Sequence, residues 1–346
     1  MDITSLIAPL FALAGTGPCL PIDTLPSLIK EPGRYCVSKD LQVAAEGDSG
    51  ISVLSDGVSI DLQGHHISGP GEGLGNGVSG NGVKDVTIFN GSISGFFYGV
   101  RFQSVEDITL SHLTIENNIF RGATVLGTKV TVEDTVVRGI KGYREWPDSH
   151  SFGIEVTGPE CRVLRNTVSD IVPFRAGEAV GVSINSTPEK CIVEENFIKL
   201  DQPHDQGRYI GIWVGGRGQP DSVAKNVIVN VDYSVAYTRL SGLAADNWIH
   251  ERCADGWNST PEKIDTFKSE NHVLQSGRCS DDIDYLSQKL KEEPDAPQWY
   301  LRYATAVRQK QGKVVALPSY ERACELGAEE GCRLADIYQK QIDAGK

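Results

Sequence analysis

Short stretches of alternating apolar and polar residues recur through the middle of the chain, most of them led by a glycine. They are Gly50-Ile-Ser-Val, Gly77-Val, Gly99-Val-Arg-Phe, Gly122-Ala-Thr-Val, Gly153-Ile-Glu-Val, Gly181-Val-Ser-Ile and Gly211-Ile-Trp-Val. A second alternating stretch follows each one, with a polar residue at a nearly fixed place: Gln63, Asn90, His112, Asp134, Asn166, Asn196, Asn226, Asn247 and Asn271. Successive separations are 27, 22, 22, 32, 30, 30, 21 and 24 residues. Stretches this short, rich in Val, Ile and Thr, predict strands rather than helices. A repeat of this length built from short strands predicts a solenoid, because one coil alone leaves its strand edges and apolar face open and only stacking closes both. Asparagine at a recurring turn fits: its amide can bond the asparagines above and below, and it tolerates a left-handed bend.

The spacing swells to about 30 residues on three successive coils, through 139–152, 170–180 and 200–210. Equivalent places on a solenoid stack about 4.8 Å apart, so these insertions predict one continuous wall or groove, carried on by 230–240. They hold the candidate functional residues. The substrate-binding set is Lys141, Tyr143, Arg144, Trp146, Asp148, His150, Arg175, Glu178, Tyr233, Tyr237 and Arg239, and Asp201 and Asp232 belong to the same segments. The catalytic set is His204, Asp205, Arg208 and Tyr209. Aromatic rings stack on sugars and arginines pair with carboxylates, so the expected ligand is an acidic polysaccharide or oligosaccharide. Abstraction of a C5 proton from a uronate needs a base, a carboxylate neutraliser and a proton donor. His204 can be the base, Arg208 or Arg175 the neutraliser, and Tyr209, Tyr143 or Tyr237 the donor. Asp205 can orient His204 or hold a divalent cation such as calcium. Paired carboxylates among Asp148, Glu178, Asp201, Asp205 and Asp232 suit a glycosidase instead. The same groove without a competent base is a non-catalytic glycan-binding or structural module. No metal-ligand spacing and no obligate cofactor is read from the sequence: His112 reads as a turn residue, and His65 and His66 have no chelating partner.

The segment G-V-S-I-D-L-Q-G-H-H-I-S-G-P-G and the later V-T-I-F-N-G-S-I-S-G-F resemble the parallel β-helix repeat family, over roughly residues 30–275. The resemblance implies an all-β main domain: a right-handed parallel β-helix of about nine coils, of the pectate-lyase type. Q-P-H-D at 202–205 resembles the D-P-H-[D/E] signature of β-helical mannuronate C5-epimerases, which implies that His204 and Asp205 match a catalytic histidine and its acidic neighbour. Gln202 departs from that signature, where the family has an acid important for catalysis.

The net charge of −13 argues against nucleic acid as a partner. Eight cysteines suggest four sequence-adjacent pairs, Cys19/Cys36, Cys161/Cys191, Cys253/Cys279 and Cys324/Cys332, and an oxidising compartment, secreted or periplasmic. Residues 1–30 read as a signal peptide or an N-terminal cap: the apolar run at 6–15 is too short for a membrane span, and no positive charge precedes it. The β-helix is assigned to 31–278. After Cys279 helical spacing takes over, with four expected helices at 281–293, 298–309, 313–326 and 328–342. The stretch Y-E-R-A-C-E-L-G-A-E-E-G-C-R-L-A-D-I-Y resembles a Sel1-like repeat, which implies a Cys324–Cys332 disulfide across a helix–helix turn and a segment, 279–346, that caps the β-helix or binds a protein partner.

Overall fold

The computed structural model describes residues 19–145, 149–174, 177–186, 191–200, 208–216, 221–237, 242–251, 268–275 and 282–345. The main body is a parallel β-solenoid with three sheets, one more strand per coil than the repeat suggested. What read as one second strand, S-I-D-L-Q-G-H-H-I for instance, is two strands with a turn between them, Val58–Asp61 and His66–Ser68, and they belong to different sheets.

The first sheet stacks Ser27–Ile29, Ile51–Val53, Asn76–Asn81, the first thirds of Tyr98–Glu116 and Arg121–Glu133, then Ser151–Thr157, Glu178–Ser186, Arg208–Gly216 and Tyr233–Tyr237. The second runs from Leu20–Ile22 through Gly33–Val37 to Gly242–Ala245. The third runs from Leu41–Gln42 through Thr167–Val172 to Trp248–Glu251 and His272–Gln275. One strand, Tyr98–Glu116, passes through all three sheets and bends at Ser104, Asp107 and His112, each with a positive φ.

The interior is built of in-register ladders of branched side chains. On the third sheet Ile67, Ile93, Ile115, Val137, Val168, Ile198, Ile228 and Ile249 stand one above another, and all are buried. Full burial of each such side chain stabilises by roughly 1.5–3 kcal/mol, and β-branched residues suit the pleat they share. The leading glycines also have a cause. A Cβ on Gly153 would meet the carbonyl of Gly181, and one on Gly181 that of Gly211, so the coils approach too closely there for any side chain.

The polar turn between the second and third sheets uses two adjacent positions, which the sequence pattern had merged. The left-handed residue lies at the surface: Gln63, Asn90, His112 and the partly exposed Asp134, then Arg165, Glu195, Lys225 and Asp246. The amide ladder lies one residue later and is buried: Asn166, Asn196, Asn226, Asn247 and Asn271. Each Nδ2 donates to the Oδ1 of the next asparagine, at 3.0, 2.9, 2.9 and 2.7 Å. The expected bend and the expected ladder both exist, but different residues supply them. His112 is a turn residue as read. His65 and His66 are both partly exposed: His65 lies 3.3 Å from Asp40, and the His66 ring sits between Ser92 and Ser94.

Three expected disulfides are formed: Cys19–Cys36, Cys161–Cys191 and Cys324–Cys332. Cys253 and Cys279 lie outside the described residues, as does the apolar run at 6–15. The C-terminal helices are α1 (Ile283–Glu292), α2 (Pro297–Gln311), α3 (Lys313–Glu325) and α4 (Glu329–Asp343), close to the expected bounds. Asp282 caps α1 by accepting from the Asp284 and Tyr285 N–H groups. Leu286, Trp299 and Ala306 form one small core, and Ala304, Val307, Ala316 and Tyr320 another. Among the described residues no helix is long and apolar enough to cross a membrane.

Candidate functional site

Strand alternation sends every second side chain of the first sheet outward, and register lines these up along the solenoid axis. One row reads Tyr98, Arg121, Phe152, Val180, Ile210, Tyr233. The row beside it reads Arg101, Thr124, Glu155, Ser183, Trp213, Ala236, and a third carries Gln103, Leu126, Thr157, Asn185 and Gly215. The result is a flat face of aromatic, charged and amide groups in the middle coils. Arg121 lies over the rings of Phe120 and Phe152, 4.5 and 4.1 Å from their centroids, and pairs with Glu155 at 2.8 Å. The Thr124 hydroxyl donates to the same carboxylate at 3.1 Å. Arg101 lies 4.7 Å over Tyr98. Phe152, Glu155, Ser183, Ile184, Asn185, Trp213 and Gly215 line an open cleft of about 270 Å³.

The sequence candidates gather at the other end of these strands, where the insertions enter. His150, Glu178 and Arg208 occupy one register column. Glu178 is 3% exposed, accepts from Arg208 at 2.8 Å and lies 3.5 Å from His150 Nδ1. The Glu178 backbone N–H donates to that same Nδ1 at 3.0 Å. A neutral His150 therefore carries its proton on Nε2 and offers a donor rather than a base to an incoming group. Phe152 at the near edge of the cleft is two residues of strand from His150, and Ser183 is five from Glu178, so the column stands about 7 Å from the near wall of the cleft and about 16 Å from its middle.

The insertions share one edge of the solenoid where they are described. Phe174 N–H bonds the Ser149 carbonyl, and Arg208 N–H the Gly177 carbonyl. Lys141 and Arg144 are exposed at this edge. The Tyr143 hydroxyl donates to Glu145 at 2.8 Å, which raises the phenol above its ordinary range, and its ring meets Phe97 edge-on at 4.9 Å.

Other candidates are placed elsewhere. Tyr209 points into the core and is 1% exposed, because it follows Arg208 by one residue and strand alternation turns it inward. Asp232 is also buried and accepts from the Tyr209 N–H at 2.9 Å, a bond that joins two coils. Tyr233 is buried in an outer apolar cluster with Val180, Ile210 and Ala236. Tyr237 ends its strand opposite Val214. Trp146, Asp148, Arg175, Asp201, His204, Asp205 and Arg239 lie outside the described residues. Among the described residues no three His, Cys, Asp or Glu side chains converge as metal ligands would.

A family model described as the right handed beta helix region matches residues 49–248, more than half of the chain. The chain belongs to the right-handed β-helix family. That match runs from the second coil to Trp248 and takes in the whole cleft and the His150–Glu178–Arg208 column of the β-helix. No curated protein and no solved structure matches the chain.

Sequence reasoning missed Arg101, Arg121, Phe152, Glu155 and Trp213. The signal was present: in each glycine-led strand a single side chain stands between two inward apolar residues, and read down the coils that position spells Arg101, Thr124, Glu155, Ser183, Trp213.

Proposed function

We propose that this β-helix is exported and binds an acidic, uronate-containing polysaccharide across the outer face of its first sheet. The observation that carries this reading is the cleft in which the rings of Phe152 and Trp213 flank Glu155, Ser183 and Asn185. Apolar faces suit the C–H faces of sugar rings, and the polar groups between them suit hydroxyls. Phe152 and Trp213 are two coils apart, about 9.6 Å along the axis, which suits successive rings of an extended chain. Arg101 and the exposed Lys141 and Arg144 supply cations for carboxylates near the two ends of this face. The three disulfides fit an oxidising compartment. The test is affinity electrophoresis and calorimetry with alginate, polygalacturonate and a neutral glucan. Binding of an acidic polymer, weakened about tenfold by Trp213→Ala, is expected; binding of none of them would sink the proposal.

A second reading, lyase or C5-epimerase, rests on Q-P-H-D at 202–205. His204 stays the candidate base of such a reaction, since His150 presents a proton, and Arg208, already paired with a buried carboxylate, is a less available neutraliser. Unsaturated product absorbance, or C5 inversion seen by NMR, that disappears in His204→Ala supports it. Neither signal from wild-type protein on any uronan that it binds leaves binding as the function.

A further inference from the structure

The first-sheet face carries its charges unevenly, and the pattern narrows what it can hold. The Arg121 guanidinium lies over the rings of Phe120 and Phe152 and pairs with Glu155, and its side chain is only 16% exposed, so it has little left to offer a ligand. Both donors to Glu155, the Arg121 guanidinium and the Thr124 hydroxyl, use Oε2. Oε1 has no partner among the described residues, so Glu155 brings the cleft an unused acceptor. No residue lining the cleft is a cation. A sugar hydroxyl can donate to Glu155, but a sugar carboxylate put there meets a carboxylate whose charge is already matched, and like charges so juxtaposed repel. The ring over Phe152 is therefore best served by a neutral sugar.

Arg101 is the opposite case. It stands in the same outward row, two coils before Glu155, about 9.6 Å along the axis. Its guanidinium lies 4.7 Å over the Tyr98 ring, which holds its plane, and among the described residues no carboxylate pairs with it. Its neighbours in register are Asn76, Ser79 and Asn81 on the coil below, Tyr98 and Gln103 on its own coil, and Arg121, Thr124 and Leu126 on the coil above. None of them is an acid. At the next corner Glu106 is already held by Lys84 at 2.7 Å. At the insertion edge Glu145 and Glu46 act on the Tyr143 hydroxyl, and the Phe97 ring meets both Tyr143 and Tyr98. A partly exposed guanidinium with unused N–H groups is the natural partner of a carboxylate or sulfate.

From this we infer that the first-sheet face takes a heteropolysaccharide in which single acidic sugars are separated by neutral ones, with an acidic ring at Arg101 and neutral rings over Phe152 and Trp213. The chain runs along the solenoid axis. Arg101, the coil of Phe152 and Glu155, and the coil of Trp213 follow at even steps of two coils, so an extended chain meets them in turn. A homopolymer of uronate has a carboxylate on every ring and must set one beside Glu155 wherever it slides. A wholly neutral glycan leaves Arg101 unused. The inference rests on the first-sheet reading and narrows its ligand.

Calorimetry with the full chain compares oligosaccharides of equal length from deacylated gellan, whose single uronates are separated by neutral sugars, from polygalacturonate and from a neutral glucan. Circular dichroism checks that each variant is folded. The gellan oligomer is expected to bind about tenfold more tightly than either of the others. Arg101→Gln is expected to weaken its binding about tenfold, the loss of one charge-assisted hydrogen bond, while Arg101→Lys keeps most of it and neither changes binding of the glucan. Glu155→Gln is expected to narrow the gap between gellan and galacturonate oligomers, since an amide does not repel a carboxylate. Galacturonate binding as tight as gellan binding overturns the inference, as does gellan affinity unchanged in Arg101→Gln or a preference unchanged in Glu155→Gln. If Trp213→Ala still weakens binding in those cases, the first-sheet reading stands without it. Acidic oligomers that do not bind, or whose binding Trp213→Ala leaves unchanged, fail the first-sheet reading and this inference with it.

Discussion

Asparagine 196 is the residue on which the stacking can be tested most directly. Its Nδ2 donates to the Val163 carbonyl at 2.8 Å, the Glu194 carbonyl at 3.1 Å and Asn226 Oδ1 at 2.9 Å. Its Oδ1 accepts from the backbone N–H and the Nδ2 of Asn166 at 2.9 and 3.0 Å. Truncation in Asn196→Ala does not orphan all of these partners. Asn226 Oδ1 keeps the Asn196 backbone N–H, the Asn166 amide keeps the Val132 carbonyl, and the Glu194 carbonyl keeps Arg165 N–H. The Val163 carbonyl keeps its place in the parallel ladder, opposite the Val193 coil, so the Asn166 N–H is the group left without a partner. At about 1–3 kcal/mol for an unsatisfied buried group, the cost is about 1–3 kcal/mol, centred near 2. Asn196→Asp keeps the shape but turns a donor into an acceptor facing three acceptors and buries a charge, so it should cost more than alanine at pH 7. Urea unfolding at 25 °C, followed by both far-UV circular dichroism and tryptophan fluorescence, measures both variants. The ladder argument fails if Asn196→Ala costs under about 1 kcal/mol, or if the aspartate variant is the more stable of the two.

Further expectations concern the cluster, the disulfide, the corner glycines and the acid limb. Glu178→Ala leaves Arg208 without its 2.8 Å carboxylate; loss of one partner of a buried pair costs about 3–5 kcal/mol, here near the low end because Arg208 is 17% exposed, as urea unfolding would measure. Replacing Cys161 and Cys191 with alanine opens a bridge that spans 30 residues, and a loss of about 3–4 kcal/mol in thermal or urea unfolding is expected from chain entropy. Gly181→Ala puts a Cβ against the Gly211 carbonyl and Ile198, and a lower melting temperature is expected even though alanine normally favours ordered backbone over glycine. Arg165 beside Asp134 holds that carboxyl below its ordinary value of 3.8. A depressed folded value means stabilisation that is present above about pH 4 and lost as pH falls through the depressed value. Wild type and Arg165→Gln should therefore differ by under about 1 kcal/mol at pH 7 and converge at lower pH; a gap that widened on acidification would refute this.

The solenoid was legible in the sequence because its period, its apolar alternation and its turn asparagines all repeat, and each repeat has a physical cause in the stack. The third sheet was not legible, because the tight turn at Gln63 or Asn90 takes so few residues that two strands read as one. The merging of Asp134 with Asn166 as equivalent positions has the same origin. A left-handed exposed residue and a buried amide are adjacent in the coils of Asn166, Asn196, Asn226 and Asn247, and both are polar. On the site, the insertions were found by length, and His150, Glu178 and Arg208 do converge. Tyr209 was misplaced because a one-residue step along a strand reverses its direction.

The first-sheet face shows what length alone cannot find. An insertion announces itself, whereas Arg121, Glu155 and Trp213 occupy ordinary strand positions and add no residue to any coil. They are unusual only when read across coils: a solenoid surface needs no charge or large ring at a regular outward position, and small polar residues such as Ser79 and Ser183 serve there. Arg121 and Glu155 neutralise one another at 2.8 Å, with Thr124 fixing the carboxylate, so the pair presents a rigid polar surface rather than free charge. That makes a specific outcome follow. Glu155→Gln should leave the fold intact, since the carboxylate is at the surface, but it releases the Arg121 guanidinium as an uncompensated cation beside Phe152. Affinity for an acidic oligosaccharide should then rise, and fall more steeply with salt than in wild type, because exposed charge is screened over about 10 Å at 0.1 M. A Glu155→Gln variant that bound acidic and neutral oligosaccharides with unchanged affinity would show that the ligand does not lie along this row.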